Sequence, residues 1–180
     1  MREIALHLLD IAENSVAAKA TRVTIQILED SVKDILYLSV EDNGCGMSAE
    51  TVAKVIDPFV TSRTTRKVGL GIPLLKAAAE ACNGWFKISS SLGVGTLLET
   101  QFQRSHIDRM PLGNLADTLL TLLIGSPEIQ WLFHYRVNAA NFTFDSQPIM
   151  EELEGVLLTE PIVLAYLREV LGEITTISNQ

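Results

Sequence analysis

Asp42, Gly44 and Gly46 fall together in Glu41-Asp42-Asn43-Gly44-Cys45-Gly46-Met47, directly after the alternating run Ile35 to Val40 that reads as a strand. A carboxylate at a strand end can accept a hydrogen bond from the exocyclic amine of a nucleotide base. Glycines, lacking Cβ, let the backbone come close to such a ligand. Asp-Asn-Gly is also ordinary turn chemistry, so other residues must decide its meaning. Asp10 and Asn14 lie four apart in a helical pattern and project from one face. An amide oxygen suits magnesium that bridges substrate phosphates, and a carboxylate one turn earlier can act as a general base. As solvated helix-surface residues they would do neither. His7 lies on nearly the same face, where a lone helical histidine is more often a packing residue than a catalyst.

A second group follows. Pro58-Phe59-Val60-Thr61-Ser62-Arg63-Thr64-Thr65-Arg66-Lys67 sets three cations and four hydroxyls into an acidic protein. That composition suits a flap closing over phosphates, or else a solvated loop. Val68-Gly69-Leu70-Gly71-Ile72-Pro73 then opens a helical pattern running to about Ala81. Glycines ahead of a helix with proline in its first turn leave backbone N–H groups pointing outward, where phosphates bind. No strand immediately precedes these glycines and no Gly-Lys-Ser/Thr ends them, which excludes the dinucleotide fingerprint and the Walker A loop.

The elements that must hold these residues can be read in order. A helix spans about Arg2 to Ala20, strands cover Arg22–Leu28 and Ile35–Glu41, and a short helix, capped by Ser48, covers Ala49–Ile56. After the helix to Ala81 come strands Trp85–Ser90 and Gly95–Gln103. Beyond Arg104 the pattern gives a helix at Leu115 to Ile124, strands at Ile129–Val137 and Asn141–Asp145, and helices near Pro148–Leu153 and Pro161–Leu171. Trp131, Phe133 and Tyr135 share one strand face and are expected to be core.

Composition bounds the function. At 180 residues, 47% hydrophobic and 20% charged, the chain is globular rather than disordered. A net charge of -8 argues against nucleic acid, which needs a basic face. Two cysteines, Cys45 and Cys82, make neither a zinc site nor a disulfide framework and fit a reducing, cytoplasmic compartment. No apolar run is long enough for a membrane span, and no signal peptide is read at Met1-Arg2-Glu3.

In order, Asp10-Ile11-Ala12-Glu13-Asn14-Ser15, Asp42-Asn43-Gly44-Cys45-Gly46-Met47, Pro58-Phe59-Val60-Thr61-Ser62-Arg63, Gly69-Leu70-Gly71 and Gly93-Val94-Gly95-Thr96 form a set. It resembles the ATP-binding domain shared by gyrase, the related heat-shock chaperone, histidine kinases and mismatch-repair ATPases (the GHKL, or Bergerat-fold, superfamily). The resemblance covers residues 1–103 and implies an α/β two-layer sandwich, with a mixed, mainly antiparallel sheet and helices on one face. Residues 104–180 are expected to be a small α+β appendage serving partner binding or dimerisation.

The resemblance further implies ATP and magnesium as ligands. Asn14 would hold the metal and Asp42 would read the adenine amino group. Gly44, Gly46 and Met47 would border the base, and Thr96 would support the contact beside Asp42. Gly69, Leu70 and Gly71 would meet the phosphates, and Thr61, Ser62, Arg63 and Lys67 would belong to a short, kinase-like lid. The hydrolytic members and the anti-sigma-factor serine kinases carry a glutamate where Asp10 stands, so Asp10 is the candidate general base with one methylene less. No phosphoacceptor hairpin is read in the chain, and the expected target is a separate protein. The competing expectations are an ATPase switch whose lid closure drives dimerisation, and a non-catalytic interaction module.

Overall fold

The computed structural model describes residues 3–56, 71–153 and 155–178. The elements follow in the order α1 (Ile4–Ala17), β1 (Arg22–Asp30), β2 (Ile35–Asp42), α2 (Ala49–Ile56), α3 (Gly71–Ala81), β3 (Trp85–Ser91) and β4 (Gly95–Gln103). Then come α4 (Leu115–Gly125), β5 (Gln130–Val137), β6 (Ala140–Asp145), α5 (Ser146–Leu153) and α6 (Pro161–Ser178). Helix α1 stops earlier than its apolar spacing suggests because Lys19 takes φ 58, which turns the chain into β1.

The strands form one sheet in the order β3-β4-β2-β1-β5-β6. Every pair is antiparallel except β1 with β5, which run parallel from Arg22 beside Gln130 to Glu29 beside Val137. The period of two decides what faces what. Val23, Ile25 and Ile27, Leu36, Leu38 and Val40, and Trp131, Phe133 and Tyr135 are all buried under the helices. The alternate residues Gln26, Glu41, His134 and Arg136 are exposed, so the helices cover one face and water the other. The expected α/β sandwich with a mixed sheet and helices on one face is therefore the fold observed.

Residues 104–180 are woven into this frame. They supply β5 and β6 to the same sheet and Trp131, Leu167 and Leu171 to the same buried cluster as Ile4, Leu8 and Leu38. The start of α1 has no side-chain cap; its Ile4 and Ala5 N–H groups donate instead to the Pro111 and Leu112 carbonyls at 3.0 and 2.8 Å. A buried charge ties the far end of the sheet. Glu29 accepts from Tyr135 Oη at 2.8 Å and from Arg104 Nε at 3.0 Å, so its carboxylate is paired rather than stranded. Burial first, and the Glu29 carboxylate second, push the Tyr135 phenol far above its ordinary value, so it remains a donor. Among the described residues no helix is long and apolar enough to cross a membrane.

Candidate functional site

Register brings the site together. Asp42 pairs with Thr96 across β2 and β4, and Thr96 pairs with Ser90 across β4 and β3, so all three side chains share one rung on the helix-covered face. The rung below, Val40, Leu98 and Ile88, is apolar. Ile11, Asn14, Ser15 and Ala18 of α1 and its C-terminal turn, Cys45, Gly46 and Met47 of the following turn, Val55 of α2 and Ile72 of α3 close a cavity of about 210 Å³ over these rungs. An apolar cavity with a few aimed polar groups is what a planar heterocycle requires.

Asp42 is held at both oxygens. Oδ2 accepts from Ser15 Oγ and Oδ1 from the Gly44 N–H, each at 2.9 Å. A carboxylate offers about four lone-pair sites, so two remain for a ligand amine. Beside it, Ser90 Oγ accepts from the Met47 N–H at 2.8 Å, donates to the Gly95 carbonyl at 2.9 Å, and lies 2.9 Å from Thr96 Oγ1. With the Ser90 proton committed to Gly95, Thr96 donates to Ser90, which leaves the Thr96 oxygen an acceptor. Sequence reasoning gave no role to Ser15 or Ser90. Ser15 adjoins Asn14 and is buried, yet it reads as one more small residue on the apolar side of α1.

The glycines act first on the protein itself. Gly46 has φ +65, and a Cβ there would lie 1.9 Å from the Ser91 carbonyl oxygen. It lines the cavity, whereas Gly44 does not; a Cβ on Gly44 would meet Ala18 at 2.8 Å. Their smallness lets the turn lie flat on α1 and on the β3–β4 hairpin.

Asn14 is exposed and borders the cavity, and no hydrogen bond of its side chain is made among the described residues. Asp10 stands apart, its carboxylate against the first residue of α3: a Cβ on Gly71 would lie 2.8 Å from Oδ2. So Asp42, Gly46, Met47, Thr96 and Asn14 converge on one cavity, with Asp10 and Gly71 together at the amino end of α3. Thr61, Ser62, Arg63, Lys67, Gly69 and Leu70 lie outside the described residues.

His7 is 2% exposed, and its Nδ1 has no partner among the described residues. Burial lowers its pKa below the ordinary 6.5, against the Gly71 backbone hydrogen bond and the Asp10 charge, which pull upward. The unfolded chain then takes up a proton that the folded chain refuses. Stability from a neutral buried His7 is complete above about pH 6.5 and is lost as pH falls through the window beneath it. A His7→Leu variant is expected to show a flatter fall in melting temperature between pH 7.5 and 5.5 than the wild type. Parallel curves would show that His7 does not carry this linkage.

Residues 1–106 match the model of the family described as histidine kinase-, DNA gyrase B- and HSP90-like ATPases. The signal transduction histidine-protein kinase AtoS of Escherichia coli is 35% identical over 89 residues, which make up 49% of this chain and 14% of that protein. The autoinducer 2 sensor kinase/phosphatase LuxQ of Vibrio cholerae is 29% identical over 114 residues, 61% of this chain and 13% of that one. The chain thus spans only about a seventh of the length of such relatives. Among solved structures, the Aquifex aeolicus MutL ATPase domain complexed with ADP superposes with a TM-score of 0.52 at 16% identity, covering 79% of this chain and 64% of that one.

Proposed function

Because the chain belongs to the family of histidine kinase-, DNA gyrase B- and HSP90-like ATPases, we propose that it binds ATP with magnesium in the Asp42 cavity. On this reading it uses the bound nucleotide to phosphorylate or regulate a separate protein. The observation that supports it most is the doubly anchored Asp42 carboxylate, which opens onto an apolar cavity with acceptor capacity to spare. Asp42 accepts the adenine amine, Thr96 and Ser90 steady that edge, and Val40, Ile88 and Leu98 exclude water from the ring faces. Asn14, its amide uncommitted at the cavity edge, holds the magnesium. Magnesium so bound would neutralise charge on the phosphates. Gly69, Leu70 and Gly71 contact those phosphates and Thr61, Ser62, Arg63 and Lys67 cover them, on the strength of sequence pattern for all but Gly71. A cytoplasmic setting, where Cys45 and Cys82 stay as the free thiols they are, belongs to the same reading. So does self-association through the later part of the chain, on a surface other than the α5–α6 face.

Radiolabelled ATP separates the outcomes. Stable label on a co-purified or co-incubated protein supports phosphotransfer, and free phosphate an ATPase. Binding with neither product supports a nucleotide-sensing module, and no binding overturns the proposal.

One observation favours the ATPase reading as a second possibility. The Asp10 carboxylate lies against Gly71 at the amino end of α3 and does not line the Asp42 cavity, and a carboxylate beside a helix end that suits phosphates supports a role as general base. Asp10→Asn is expected to lower phosphate release by about 10²-fold or more while the thermal shift with ATP persists. Equal release rates in a phosphate assay would remove Asp10 from any catalytic role.

A further inference from the structure

We propose that the groove between α5 and α6 is a docking surface for a basic, amphipathic helix of another protein. Such a helix would set apolar anchors into the groove and lysines or arginines against its glutamate rim. This deepens the reading that the protein acts on a separate protein, and it names the chemistry of that partner.

Ile149 and Leu153 of α5 and Ile162, Val163 and Tyr166 of α6, with Glu152, line a groove of about 320 Å³. Its apolar wall faces water: Ile162 is 80% exposed and Tyr166 51%. Leu157, in the connection joining the two helices, is 66% exposed. Single apolar residues on a surface need no explanation, but a contiguous set lining a concavity does.

Charge then selects the occupant. From Ser146 to Gln180 the chain carries six glutamates, one arginine and no lysine or aspartate, within a protein of net charge -8. Along α6 the spacing Ile162, Tyr166, Glu169, Glu173 places two glutamates on the helical face that carries the apolar pair. Glu152 lines the groove itself, and Glu151 and Glu160 are exposed nearby in sequence. The one cation of the region, Arg168, lies instead in the cleft beside Asn114 and Asp117 of the α4 side. An apolar floor with an acidic rim matches a helix with apolar residues at i, i+3, i+4 and i+7 flanked by cations. The same rim repels nucleic acid and anionic membrane surfaces. It also disfavours a second copy of this chain, since a two-fold contact would press one glutamate rim against its own image.

The test uses the full chain and a fluorescein-labelled model peptide of about 18 residues, five helical turns, with leucines in that spacing and lysines alongside. Fluorescence anisotropy at physiological salt is expected to show saturable binding. The double variant Ile162→Asp, Tyr166→Asp should weaken it by about tenfold or more, although it makes the protein more acidic. That combination separates docking from bulk charge attraction. Glu152→Lys with Glu169→Lys, which leaves the apolar floor intact, should weaken it as well, and a peptide with glutamates for lysines should not bind. Unchanged or tighter binding by the aspartate variant, or no binding by the wild type, would overturn the proposal. So would a wild-type dimer in sedimentation that Ile162→Asp converts to monomer. The ATP thermal shift is read on the same samples. Peptide binding by a protein that does not shift with ATP would support the groove while telling against the nucleotide reading.

Discussion

Replacing Asp42 with asparagine is expected to abolish the stabilisation by magnesium ATP that the wild-type chain shows, with the fold kept. Asparagine has the shape of aspartate, and its Oδ1 can still accept from the Gly44 N–H while its amide donates to Ser15 Oγ. What changes is the face toward the cavity. There an N–H donor replaces a lone pair, and it meets the exocyclic amine of adenine donor to donor. Saturation at a hundred times the dissociation constant adds about 2.7 kcal/mol to the wild type, a rise of roughly 5–10 °C for a chain of this size. The variant should melt near the wild-type apo temperature and move little with ATP. A variant that shifts as far as the wild type would show that Asp42 does not read the base. A folded wild type that does not shift would remove ATP binding altogether, leaving the α5–α6 groove as the place to seek function.

Deleting residues 109–180 is expected to unfold the protein, not to trim a module from it. The deletion removes β5, so the backbone of β1 from Arg22 to Glu29 loses its parallel partner in mid-sheet. It strips the Pro111 and Leu112 carbonyls from the first turn of α1, the helix that carries Asp10, Asn14 and Ser15. It also bares Ile4, Ala5 and Leu8, which share one buried cluster with Leu119, Trp131 and Leu167. A point variant grades the same effect. Trp131 is fully buried, and its Nε1 donates to the Ser126 carbonyl at 3.1 Å. Trp131→Ala leaves a large cavity and takes one of two donors from the Ser126 carbonyl, which keeps the Ile129 N–H at 3.3 Å, and should lower stability by about 3–5 kcal/mol. Urea denaturation followed by circular dichroism measures both. A 1–108 fragment that melts cooperatively and still responds to ATP would show the later residues to be separable. Partner binding is therefore better tested with surface substitutions in α6 than by truncation.

Much of the candidate site was legible because its signals are local. Asp42 at a strand end, glycines at 44 and 46, and Asn14 one helical turn after Asp10 depend on periods of 2 and 3.6 that any short window displays. The strands and helices followed from the same periods, and Trp131, Phe133 and Tyr135 are the core residues their alternation indicated. The tertiary structure alone decided how distant segments meet. Ser90 reaches Thr96 and Met47 only through the register of β3, β4 and β2, and no neighbour in sequence marks it apart from Ser89 or Ser91. Gly46 is small because the Ser91 carbonyl crosses it, a contact 45 residues away. β5 lies against β1 although 99 residues lie between their ends, Asp30 and Gln130, by way of the whole Asp42 cavity. Pairing of that kind is chosen by the shared burial of two faces and by loop closure. Neither leaves a period in the chain, so what the residues could do was written locally, and which of them come together was decided by the sheet.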